Sequence, residues 1–105
     1  MLDISTINRR YFDINISVQD DEGKTHNISL NVEPPKVKTL NKIISLSKDK
    51  ENEDTMSEAI LLVLNKNKSG YKVSKEIIDE LDTDEYVTIL TEYFNWVAEV
   101  RNSPN

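Results

Sequence analysis

Apolar and polar positions alternate twice in the first third of the chain. Phe12, Ile14, Ile16 and Val18 interleave with Asp13, Asn15 and Ser17, the period-two signature of a strand with one buried face. The alternation returns from Thr25 to Val32, with Ile28, Leu30 and Val32 on one side. Between the runs lies Asp20-Asp21-Glu22-Gly23, where a glycine free to take positive φ supplies turn chemistry. Together they predict a β-hairpin. A lone hairpin is marginal in water, so its apolar face has to pack on helices or another sheet.

After Pro34-Pro35 the period changes. Proline cannot donate to a strand ladder and restricts the residue before it, so the pair closes the second strand. A helix is expected from about 37 to 48, with Val37, Leu40, Ile43, Ile44 and Ser47 or Leu46 facing inward. Asp49 to Asp54 has no apolar residue and reads as a solvent loop. Thr55-x-x-Glu58 has the spacing of a capping box, in which each side chain satisfies a free backbone N–H. It predicts a second helix with Met56, Ala59, Ile60, Val63 and Leu64 toward the core, and Gly70 at its C-terminal cap. Ser74 then caps a short helix through Ile77, Ile78 and Leu81. Asp82-x-x-Glu85 is a second capping box, opening a long terminal helix whose end carries Arg101, favourable to the dipole, before Pro104.

The expected class is α+β: an N-terminal β-hairpin followed by three or four packed helices, mostly helical. One domain spans 1–105, divided into a leader (1–10), the hairpin (11–33) and the helical part (36–101).

The terminal helix carries the only tryptophan, together with Tyr86, Tyr93 and Phe94. At about 100° per residue, Tyr86, Leu90, Tyr93, Val97 and Val100 line one face. Ile89 and Trp96 widen it on one side, and Val87, Phe94 and Ala98 on the other. The resulting arc of roughly 200° exceeds the stripe a surface helix needs. Such a helix requires a neighbour, within the fold or on another molecule. For the Trp96 flank, core and interface both stand open. Tryptophan and tyrosine are enriched in interface hot spots, because they bury much area at little entropic cost. Ile89, Tyr93, Phe94 and Trp96, supported by Val97, are the candidate partner-binding residues.

Charge narrows the partners. Lys+Arg 13 against Asp+Glu 19 gives a net charge of −6, which argues against nucleic acid and anionic membranes, both of which select for basic surfaces. The charge is also uneven. Lys36, Lys38, Lys42, Lys48 and Lys50 make the first helix and its exit basic, while the last third is acidic. Two solvated faces account for this, and so does head-to-tail attraction between subunits or steering toward a basic partner. The absence of cysteine excludes disulfides, thiolate nucleophiles and cysteine-based zinc sites. With no signal peptide visible and no apolar run longer than Ala59 to Leu64, a cytosolic location is expected.

Catalytic chemistry is not encoded in any recognisable motif. His26 is the only histidine and has no His-x-x-x-His partner, so a structural role is expected. With Gly 2 in the chain there is no phosphate-cradling loop, and Asp79, Asp82 and Asp84 lack the spacing of a calcium loop. No catalytic residue, metal ligand or cofactor is assigned, and no enzymatic activity is expected.

Several segments nevertheless resemble a family. RRYFDINI, EPPKVKTLNKIISLSK, LNKNKSGYKVS and ELDTDEYVTILTEYFNWVAEVRNSPN are similar to the small tail assembly chaperones of long-tailed bacteriophages and prophages of Gram-positive bacteria. The resemblance covers nearly the whole chain and weighs most on the terminal helix. It implies a non-enzymatic protein of the host bacterial cytoplasm. Such a protein binds the tape measure protein, keeps it soluble while the tail tube polymerises around it, and is absent from the finished particle. Genes of this family also yield a longer product by frameshifting. The alternatives are a small structural tail or connector component, self-associating through the hairpin edge, and an acidic inhibitor imitating nucleic acid. The basic first helix speaks against the mimic.

Overall fold

Asp20 organises the turn on which the hairpin depends. Its Oδ1 accepts hydrogen bonds from the backbone N–H groups of Glu22 and Lys24, both at 2.9 Å. Gly23 takes φ 82° and donates to the Asp20 carbonyl at 2.9 Å, a conformation that a Cβ would penalise. The computed structural model describes residues 2–3, 10–49 and 52–102. In it β1 (Phe12–Gln19) pairs antiparallel with β2 (Thr25–Val32), Phe12 opposite Val32 and Gln19 opposite Thr25. The predicted alternation holds. Ile16, Val18, Ile28, Leu30 and Val32 are buried, while the opposite face is solvated and tied across the strands by Asn31 donating to Asp13 (2.6 Å) and Ser29 to Asn15 (2.7 Å).

Among the described residues four helices follow: α1 (Val37–Ser47), α2 (Glu53–Leu64), α3 (Lys75–Ile78) and α4 (Thr83–Asn102). A two-stranded hairpin followed by helices is an α+β fold. Val32, Ile43, Ile60, Val63, Leu64 and Tyr93 are the largest fully buried side chains, so one core joins β2, α1, α2 and α4. Burying a side chain of this size contributes about 1.5–3 kcal/mol.

Three local expectations need correction. Val37 does not face inward but is 77% exposed. It sits in the first turn of α1, ahead of the buried Ile43 that anchors this helix. The second helix is capped by Asn52, whose Oδ1 accepts from Asp54 N–H at 2.9 Å, rather than by Thr55. Thr55 Oγ1 instead donates to the carbonyls of Asn52 (2.7 Å) and Asp49 (3.0 Å), fastening the preceding loop to the helix. That moves the helix start into the charged stretch, to Glu53. Gly70 lies beyond the end of α2, which stops at Leu64 with Asn65 still right-handed. Its φ of 74° serves the next turn, closed by Gly70 N–H on the Asn67 carbonyl at 3.2 Å.

Asn67 is the pivot of that turn and is itself buried. Its amide donates to the carbonyls of Leu64 (2.8 Å) and Tyr71 (2.7 Å), and its Oδ1 accepts from Tyr71 N–H and Ser69 Oγ. A buried amide costs stability unless its donors and acceptor are used, and here both are. The turn also covers the outer edge of β2, with Lys68 N–H on the Asn31 carbonyl and the Lys66 carbonyl accepting from Glu33 N–H.

Ser57, buried in α2, donates to Asp79 Oδ1 at 2.6 Å, and Lys75 reaches Asp79 Oδ2 at 2.8 Å. These two donors, the lysine first, hold the Asp79 carboxyl below its ordinary pKa and fasten α3 to α2. The greater part of the leader (4–9), Lys50 and Glu51, and the chain end from 103, including Pro104, lie outside the described residues.

Candidate functional site

Residues Asp82 and Glu85 open α4 reciprocally, as their spacing predicts. Glu85 N–H donates to Asp82 Oδ1 at 2.8 Å, and Asp82 N–H to Glu85 Oε1 at 3.0 Å. Two otherwise free donors are thereby satisfied at the positive end of the helix dipole. The frame of α4 is fixed from its first turn, and with it the direction in which each side chain points.

The central face enters the core. Tyr86, Ile89, Leu90 and Tyr93 are buried, and Val97 is half-buried against them. The side chains of Val100 and Arg101 lie outside those described. Phe12 at the start of β1 meets two rings of α4: Tyr93 edge-on at 5.8 Å between centroids and Trp96, tilted, at 5.6 Å. Burial raises the pKa of both tyrosine hydroxyls, Tyr86 and Tyr93, by desolvating the phenolate.

The Tyr86 hydroxyl is buried without a hydrogen-bond partner among the described residues. An unsatisfied buried hydroxyl costs about 1–3 kcal/mol. Tyr86→Phe is therefore expected to raise stability by about 1 kcal/mol, read as a higher urea midpoint at unchanged slope. A lower midpoint would show that the hydroxyl contributes a bond after all.

Arg10 falls within the leader, to which the sequence assigns no role. Its guanidinium lies 4.2 Å from the Trp96 ring centroid and donates to the carbonyls of Trp96 (2.6 Å) and Val97 (3.2 Å). Trp96 is thus half-buried between Phe12, Tyr93 and an arginine, a cation–π arrangement. No local signal announces such a contact, since the partners are 86 positions apart.

Of the five candidate partner-binding residues, two change character. Tyr93 is 1% exposed and Ile89 9%; in this fold both position α4, and Ile89 keeps only a small apolar edge, on the side facing β1. Phe94, Trp96 and Val97 are half-buried and packed at the margin of the core. The least covered apolar surface of α4 lies on the other flank, where Val87 is 56% exposed and Ala98 is exposed. At about 100° per residue these two share a single ridge with Phe94. Trp96→Ala is accordingly a stability variant as well as a surface one. It is expected to cost about 2 kcal/mol, roughly half of what a fully buried aromatic costs, measured as a drop in the chemical-denaturation midpoint. A change under about 0.5 kcal/mol would mean that the ring stands outside the core.

His26 serves the hairpin. Its Nε2 lies 2.9 Å from Asp20 Oδ2, and this bond, ahead of the backbone bond from Lys24, holds the Asp20 carboxyl below its ordinary pKa. Among the described residues no three His, Asp or Glu side chains are grouped to hold a metal ion, and no helix is long and apolar enough to cross a membrane. No known protein family, curated protein or solved structure matches the chain.

Proposed function

We propose that this chain is a non-enzymatic tail assembly chaperone of a long-tailed bacteriophage or prophage, acting in the bacterial cytoplasm on the tape measure protein. The observation that carries the reading is the ridge of Val87, Phe94 and Ala98, left incompletely covered on a helix whose opposite face is locked into the core. A very long helical client presents apolar stripes until the tail tube encloses it, and a rigid helix with spare apolar surface can lie along such a stripe. The ridge is narrow, which fits a contact that the polymerising tube displaces. The charged exterior, net −6, keeps the loaded complex dispersed.

Co-expression with the tape measure protein of the same genome tests this. The client is expected in the soluble fraction and to co-purify. A client that aggregates equally with and without this chain would overturn the reading, and recovery of the chain in washed virions would replace it with a structural tail component.

A further inference from the structure

A groove of about 420 Å³ runs between β1 and the N-terminal half of α4. It lies on the side of α4 that carries Glu92, about 140° around the helix from Val87, and is independent of the ridge invoked above. Ile14, Ile16, Leu81 and Ile89 supply apolar lining, and Asn15 and Ser17 bring the strand itself to the wall.

That wall is an open sheet edge. Among the described residues the sheet has two strands. Asn31 and Glu33 direct their backbone groups away from β1, to Lys68 and Lys66. Antiparallel alternation, with Asp13 opposite Asn31, then turns the N–H and C=O of Asp13, Asn15 and Ser17 away from β2 and toward the open side. The outer edge of β2 is occupied by the 66–68 turn, whereas that of β1 has no strand beside it among the described residues. An edge with an apolar trough alongside satisfies both requirements of strand addition: main-chain bonds for affinity, and pockets for alternate side chains.

The rim selects the occupant. Asp82, Asp84, Glu85 and Glu92 line the groove, and among the described residues no lysine or arginine does. Asp82 and Glu85 are engaged with each other's backbone; Asp84 and Glu92 make no ion pair among the described residues. A second copy adding its own β1 would bring its own acidic rim against this one, like charge on like. We propose that the groove between β1 and α4 binds an extended segment of another protein, in which apolar residues alternate with lysine or arginine, as an added strand on β1.

The test uses the full chain and a synthetic heptapeptide alternating lysine with valine, followed by backbone-amide NMR. Binding is expected to shift the amides of Asp13, Asn15 and Ser17, and to slow their exchange with solvent at least tenfold. N-methylation of alternate peptide residues separates strand pairing from loose apolar contact. One methylation phase is expected to weaken binding at least tenfold, and the other to leave it within about twofold. Glu92→Lys, an exposed substitution, is expected to weaken binding about three- to tenfold. Equal binding by both methylated phases, equal binding of a glutamate–valine peptide, shifts confined to other residues, or dimerisation through β1 that the peptide does not displace would each overturn the proposal. All of these readouts are separate from capture of the tape measure protein, so either idea can fail alone.

Discussion

Tyr93→Ala is expected to unfold this protein or bring it close to unfolding. Tyr93 is 1% exposed and lies within 5.8–5.9 Å, centroid to centroid, of Phe12, Phe94 and Trp96. It joins the hairpin to the terminal helix through one ring. Truncating a buried aromatic to alanine costs about 3–5 kcal/mol, because transfer energy is lost and a cavity remains. Total stability for a domain of this size is about 5–15 kcal/mol, so the loss takes a large share of what holds the fold. At about 4–8 °C per kcal/mol, the thermal midpoint should fall by roughly 12–40 °C. Tyr93→Phe, which keeps the ring, should stay within about 1.5 kcal/mol. A Tyr93→Ala protein that melts like the parent but fails to capture its client would mean that α4 swings away from the hairpin on binding. Tyr93 would then be a contact residue after all.

The same residue shows what the sequence made legible and what it did not. The period-two runs of the hairpin, the 3.6-residue stripe of α4 and the Asp82–Glu85 box are local codes, written within a few positions and read directly. The burial of Ile89 and Tyr93 follows from which side of the wide apolar arc meets Phe12, and that is a long-range fact. An arc of roughly 200° states that two flanks exist, not which one the hairpin covers. Arg10 on Trp96 belongs to the same class, as does the pairing of β1 with a groove wall from α4. Thr55 misleads for a different reason. Asn52 and Thr55 are both N-cap formers, and capping-box spacing alone favours the threonine. The cap falls to Asn52 because the helix starts at Glu53, which places Thr55 inside the first turn, where its hydroxyl points back to the Asp49 and Asn52 carbonyls.

Placing the less covered flank at Val87 and Ala98 sharpens the functional test. The double substitution Val87→Lys with Ala98→Lys is expected to abolish client capture while leaving the fold intact. Val87 and Ala98 are both exposed, and surface substitutions away from special features usually stay within about 0.5 kcal/mol. Lysine is also a better helix former than valine and close to alanine, so α4 should lose little. At an interface the same changes act differently. Each removes apolar surface and places a charge that the client must desolvate, and at the centre of an interface such a change costs about 2 kcal/mol or more. Two such changes predict that the tape measure protein recovered in the soluble fraction falls at least tenfold, against an unfolding free energy shifted by no more than about 1 kcal/mol. The added positive charge also discriminates between modes of binding. An acidic client held mainly by long-range attraction would be captured better by the double variant, and more so at low salt. Capture undiminished at every salt concentration would remove the ridge from consideration, leaving the Trp96 margin as the surface to alter next.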